Sequence, residues 1–137
     1  MIYLLKYLLD TNACIRYITG RSTFLRDKIE ATPADEIAIC SIVKAEMFYG
    51  SMKSQNPQKS LKEQKEFLDQ FQSLPFDDEA ALIFGEIRAD LAKKGTPIGG
   101  YDLQIAAIAL ANNLTLITHN TNEFSRIGIL KIEDWEI

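Results

Sequence analysis

Short apolar runs alternate with stretches of helical spacing along the whole chain, and this restricts it to a parallel sheet covered by helices on both faces. The first run, "IYLLKYLL" (Ile2 to Leu9), is apolar apart from Tyr3, Lys6 and Tyr7 and predicts a buried strand. "DTNACIRYITG" changes to helical spacing, with Ile15 and Ile18 three apart and Gly20 as a stop. A second helix is expected over Thr23 to Glu30. "EIAICS" (Glu36 to Ser41) predicts the second strand, with Ser41 as the N-cap of the helix "IVKAEMFYG". "KSQNPQKS" reads as a loop, and helices are expected over Lys59 to Gln72 and Asp77 to Lys94, with "SLPF" as a short strand between them. "KKGTPIGGYD" is a connection with Gly95 closing the preceding helix. "YDLQIAAIALANN" is helical and apolar nearly all round, hence buried on most sides. "LTLIT" (Leu114 to Thr118) predicts a strand, "HNTNEF" a loop and "ILKI" a last strand.

At 137 residues, 47% hydrophobic and 25% charged, the chain suits one domain with a real core, spanning residues 1–137. Cys14 and Cys40 lie in no CxxC or metal-spaced pattern and read as reduced, buried thiols of a cytoplasmic protein. The N-terminal run is interrupted by Lys6, lacks a small-residue cleavage site and closes on Asp10, so it is not a signal peptide. Nothing approaches the roughly 20 apolar residues of a membrane span, and no membrane partner is expected. A net charge of −4 does not advertise nucleic-acid binding.

The alternation places the acids. Asp10 follows the first strand, Glu46 lies within the first turns of the helix after the second, and His119 to Glu123 follow "LTLIT". All reach the carboxyl edge of the sheet, where open α/β sheets bind ligands. Asp102 joins them because its helix runs toward the start of "LTLIT", which brings its own start back to that edge. Glu46 falls in the helical sector of Ile42, Val43, Met47 and Gly50, so a cation or a strong hydrogen-bond network is expected beside it.

Each acid taken singly also has a plainer reading. Asp10 and Asp102 suit N-caps, and Glu123 suits a solvated loop. Together, without Lys or Arg nearby in sequence, they would repel one another, and a divalent ion resolves that repulsion. Oxygen donors favour Mg²⁺ or Mn²⁺, whereas the lone His119 and the separated cysteines argue against zinc.

"YLLDTNACI", "SIVKAEMFYGS", "GTPIGGYDLQIAAIALANNLTLITHNTNEF" and "EDWEI" resemble, in order and over essentially the whole chain, the PIN-domain ribonucleases, specifically the VapC-like toxins of bacterial toxin–antitoxin pairs. The resemblance implies a PIN-like three-layer sandwich with a central parallel sheet flanked by helices. It implies an endoribonuclease dependent on Mg²⁺ or Mn²⁺, with Asp10, Glu46 and Asp102 in the family's three principal acidic positions. Many relatives carry a T-x-D aspartate after this strand where the chain has Asn120; in the branch with "NT.EF" the Glu, here Glu123, supplies the fourth acid. Catalysis and metal binding are therefore expected of Asp10, Glu46, Asp102 and Glu123, with Asn12, Thr11 and Asn120 as supporting or substrate-touching residues. An RNA substrate, a cognate antitoxin and a homodimer are the implied partners.

Without those four acids the formal charge is 0 rather than −4, so RNA can use a local basic rim. Lys44, Lys53, Arg88, Lys93 and Lys94 are candidates, although a solvated helix face explains each more simply. His119 is a candidate RNA contact that metal catalysis does not require. "GTPIGG" lacks the Lys-Ser/Thr of a phosphate loop and instead shapes the start of the Asp102 helix. A phosphatase is the first rival, but "DTN" lacks a second aspartate; a receiver-like module would need a strand-end Lys. A non-catalytic module with an acidic metal site is the remaining alternative. "FLDQFQSLPF" and "ALIFGEI" suit either a dimer face or core, and the target class among tRNA, rRNA loop and mRNA stays open.

Overall fold

The computed structural model describes residues 4–137. Five strands, β1 (Tyr7–Leu9), β2 (Ile37–Cys40), β3 (Gln72–Leu74), β4 (Thr115–Ile117) and β5 (Ile132–Glu133), form one sheet in the order β3-β2-β1-β4-β5. Every pairing is parallel, so each strand ends at the same edge. Seven helices connect and cover them among the described residues: α1 (Thr11–Thr19), α2 (Thr23–Ala31), α3 (Ser41–Met52), α4 (Pro57–Leu68), α5 (Asp78–Lys93), α6 (Gly100–Ala111) and α7 (Thr121–Phe124). This is the expected three-layer α/β architecture.

All four residues of β2 are buried, which requires cover on both faces and explains an apolar run without alternation. Leu8, Leu9, Ile39 and Leu116 are fully enclosed, and α6 contributes Leu103 and the unbroken buried run Ile105 to Ala109. Cys14 and Cys40 are free and buried, as expected. At the end of the chain Trp135 is 5% exposed and meets the Tyr7 ring edge-on at 4.9 Å, tying the last residues to the central strand.

Several boundaries differ from the sequence reading. Among the described residues the first strand pairs over Tyr7–Leu9 and not over Leu4 to Lys6, and the expected start at Ile2 lies outside the described residues. Lys6 bonds Glu36 on one side and Thr115 on the other, and Leu4 before it is exposed. Cys40, not Ser41, is the N-cap of α3, and Ser41 is already helical. The segment read as a loop contains the start of α4, because Pro57 takes the first helical position and the Asn56 side chain accepts from Lys59 N–H. That helix stops at Leu68, freeing Gln72–Leu74 to pair with β2. "HNTNEF" includes one helical turn, α7, and the last strand lies at Ile132–Glu133, beyond exposed Ile129.

Gly20 and Gly95 close α1 and α5 with φ of 69° and 70°, a left-handed backbone that side chains disfavour. Because β1 lies at the centre of the sheet, Leu8→Ala is expected to cost about 3 kcal/mol in chemical denaturation.

Candidate active site

Asp10 is the residue at which β1 becomes α1. Its backbone is extended (φ −80°, ψ 174°), and its Oδ1 accepts the Ala13 N–H at 2.8 Å. The cap reading of Asp10 therefore holds, and one carboxylate oxygen is left free of that bond. The side chain is buried, and desolvation pushes its pKa up to about 6, against the lowering effect of hydrogen bonds from Thr118 and Ala13; Asp102 and Glu136 add to the rise.

Asp102 stands in the first turn of α6, whose N-cap is Gly99. Partial burial lifts its carboxyl to about 6, with Glu123 and then Glu46 adding repulsion. These charge effects link the four acids: Asp10 acts with Asp102, and Asp102 acts with both Glu123 and Glu46. The charged groups bearing on Asp102 are carboxylates.

Glu46 departs from expectation. Val43 and Met47 occupy the buried side of α3, while Glu46 is only half-buried, on the wall of a cleft of about 370 Å³ with Tyr49 and Tyr101. Its hydrogen-bond partner is the Thr11 hydroxyl, which donates to Oε1 at 2.6 Å. Glu123 is held at both oxygens, by Asn120 Nδ2 at 3.0 Å and by the Gly99 N–H at 3.4 Å. Asn120 in turn donates its N–H to Thr118 Oγ1 at 3.0 Å. Thr11 and Asn120 thus fix two of the four carboxylates, Glu46 and Glu123, and Asn12 and Asn120 border a neighbouring cleft.

Two contributors escaped the sequence reading. Glu136 acts on Asp10 and pairs with Arg16 across 120 positions of chain. The only signal in the sequence was the acids flanking Trp135 in "EDWEI". His119, Asp134 and Glu136 bring ligand atoms within 4.8 Å of one another. Yet His119 Nδ1 meets Asp134 at 2.8 Å and Arg16 holds Glu136, so both carboxylates already have protein partners. The acids facing Asp102 lack such compensation, and their all-oxygen donor set suits a hard divalent cation. Asp10 and Asp102 therefore fit as holders of that ion.

Three of the five basic residues named as a rim engage local partners: Lys94 pairs with Asp90, Lys53 lies over Tyr49 and Arg88 over Phe84.

The PIN domain family model matches residues 7–130. The chain is similar to the tRNA(fMet)-specific endonuclease VapC of Salmonella typhimurium, with 39% identity over 132 residues that cover 96% of this chain and 99% of that protein. It is also similar to ribonuclease VapC2 of Rickettsia felis, 37% identical over 95% of this chain and 98% of the relative. In three dimensions it matches a chain of the DNA-bound VapBC crystal structure from Salmonella typhimurium, with a TM-score of 0.91 and 39% identity, covering 96% and 99% of the two chains. The VapBC-1 structure from nontypeable Haemophilus influenzae gives a TM-score of 0.86 at 32% identity, covering 96% and 98%. With the parallel sheet and its acidic edge in agreement with this near full-length likeness, the chain belongs to the PIN-domain family, in its VapC-like branch.

Proposed function

We propose that the chain is a Mg²⁺- or Mn²⁺-dependent endoribonuclease, folded as one PIN domain over residues 1–137, that acts in the cytoplasm as the toxin of a toxin–antitoxin pair. The observation that carries this reading is the placement of Asp10, buried where β1 passes into α1, and Asp102, in the first turn of α6, at one sheet edge, with no ion pair to either among the described residues. Such an edge repels an RNA phosphate until a cation occupies it.

Asp10 and Asp102 would hold the ion, with Glu46 and Glu123 completing the acidic set. When bound, it lowers the pKa of water and offsets charge developing on the phosphate. Thr11 occupies Glu46 Oε1 and leaves Oε2 to take the proton of the water that attacks phosphorus. Asn120 and Gly99 hold Glu123 against rotation, and the Ala13 N–H does the same for Asp10. Asn12, at the exposed start of α1, is positioned to touch substrate. The relatives' names make tRNA the first RNA to test, and the VapBC assemblies support a cognate antitoxin as partner. Homodimerisation belongs to the same reading. Among the described residues no helix is long and apolar enough to cross a membrane.

Purified protein is expected to cut RNA in Mn²⁺ or Mg²⁺ and to stop in chelator. Asp102→Asn should lower the rate about 100-fold or more, and Thr11→Ala about tenfold. Cleavage retained by folded Asp102→Asn, measured on total RNA with mapped ends, would remove the proposed site.

A second expectation concerns stability. Because the Asp10 carboxyl titrates higher in the folded than in the unfolded chain, the folded metal-free protein binds the extra proton. Its stability therefore falls as pH rises from about 4 to about 6, by up to about 3 kcal/mol. Asp10→Asn keeps a good N-cap and removes the charge. Without metal at neutral pH, the variant should be about 1–3 kcal/mol more stable than the parent by urea denaturation, and Mn²⁺ should stabilise only the parent.

A further inference from the structure

Beside the acidic edge lies a larger cleft, of about 580 Å³, between the exposed face of α1 and the turn that follows β4. Asn12, Ile15, Arg16 and Thr19 line it at the spacing of one helix face, and Arg21, just past the Gly20 cap, extends that wall. His119 and Asn120 form the opposite side. The cleft adjoins the proposed reaction site, because Asn120 also holds Glu123 and because Glu136, which pairs with Arg16, acts on Asp10.

The charges are layered. Glu136 and Asp134 are withdrawn, with side chains 6% and 10% exposed, while their partners Arg16 and His119 stand forward at 36% and 56%. Glu136 engages Nε of Arg16, and the terminal nitrogens of that guanidinium make no protein hydrogen bond among the described residues. Asp134 also accepts the Glu136 N–H at 2.9 Å, and buried Trp135 lies between the two acids. The last turn of chain therefore braces Arg16 and His119 from behind and leaves the terminal guanidinium donors of Arg16 for the cleft. Such an arrangement suits a phosphodiester, whose oxygens accept from a guanidinium fork.

We propose that this cleft binds a backbone phosphate of single-stranded RNA next to the cleaved bond. Arg16, Arg21 and His119 are its contacts, and Asp134 and Glu136 are positioning residues. This rests on the nuclease reading for the identity of the strand, not for the chemistry of the cleft. A phosphate held here fixes which bond lies over Asp10 and Asp102, so the cleft selects the register of cutting rather than performing it.

The test uses the full chain. Cleavage kinetics are measured on an oligoribonucleotide containing the mapped site, and binding of a labelled single-stranded 12-mer RNA is measured by anisotropy in Ca²⁺ over a range of KCl. Arg21→Ala, which removes no protein hydrogen bond among the described residues, and Arg16→Ala are each expected to raise KM and Kd about tenfold, with kcat within about threefold. Each should lower the slope of log affinity against log salt by about 0.7, the value of one single-strand phosphate contact. Arg16→Lys should restore the slope but not the full affinity, and Glu136→Gln should raise KM without changing the slope. Lys62→Ala, a charge loss on the exposed face of α4 and outside the cleft, should change neither quantity.

If the parent cuts RNA while both arginine variants match it in KM and salt slope, the cleft proposal is overturned and the nuclease reading stands. If the parent binds RNA with the predicted slopes yet never cuts it, the cleft stands and the nuclease reading falls. If the variants lose a co-expressed antitoxin while binding RNA normally, the cleft is a protein site and the proposal is overturned.

Discussion

A carboxylate sealed against water at the end of the central strand is the constraint on which the rest of this structure turns. Asp10 is 4% exposed, caps a helix, and faces Asp102 and Glu136. Parallel pairing of β1 with β2 and β4 leaves it little freedom to move, because its own N–H is bonded to Ile117 O at 3.1 Å. The fold thus holds negative charge where neither solvent nor a neighbouring lysine relieves it. A buried, uncompensated carboxylate is destabilising unless it takes a proton or a cation. The surrounding hydroxyl and amide, on Thr11 and Asn120, orient the acids without neutralising them.

This arrangement joins two readings of Asp10 that compete in the sequence. A cap needs an oxygen at the start of a helix, and a metal centre needs an oxygen at the end of a strand. In a strand that passes directly into a helix these are the same place. One oxygen of Asp10 serves the Ala13 N–H, and the carboxylate still contributes its charge to the sheet edge. Asp102 reaches the same edge from another direction but is no cap: Gly99 is the N-cap of α6, no side chain caps that helix, and Asp102 lies within its first turn.

That Asp10, Glu46, Asp102 and Glu123 share a sheet edge was legible from topology, because strands that alternate with helices pair in parallel and parallel strands end together; among the described residues the ligand atoms that come within 4.8 Å of one another are those of His119, Asp134 and Glu136. What could not be read depends on contacts distant in sequence. Arg16 and Glu136 are separated by 120 positions, and no local pattern announces their pairing. The withdrawal of Glu46 from the apolar sector reflects Thr11, 35 positions away, which draws the carboxylate to the rim. Strand lengths were overestimated for a related reason. Apolar character extends through Ile2 to Leu9, but among the described residues pairing with distant strands covers Tyr7–Leu9. The onset of α4 was missed locally, since a run containing Asn and Pro signals both a loop and the capped start of a helix, and here it is both.

On the proposed reading, the acids at the sheet edge hold a divalent cation. Crystals of the protein soaked in MnCl₂ and measured at a wavelength where manganese scatters anomalously test it most directly. The account predicts an anomalous peak in contact with carboxylate oxygens of both Asp10 and Asp102, abolished in Asp10→Asn crystals. A peak confined to His119, Asp134 and Glu136, or no peak with Asp10 and Asp102 ordered, would contradict it.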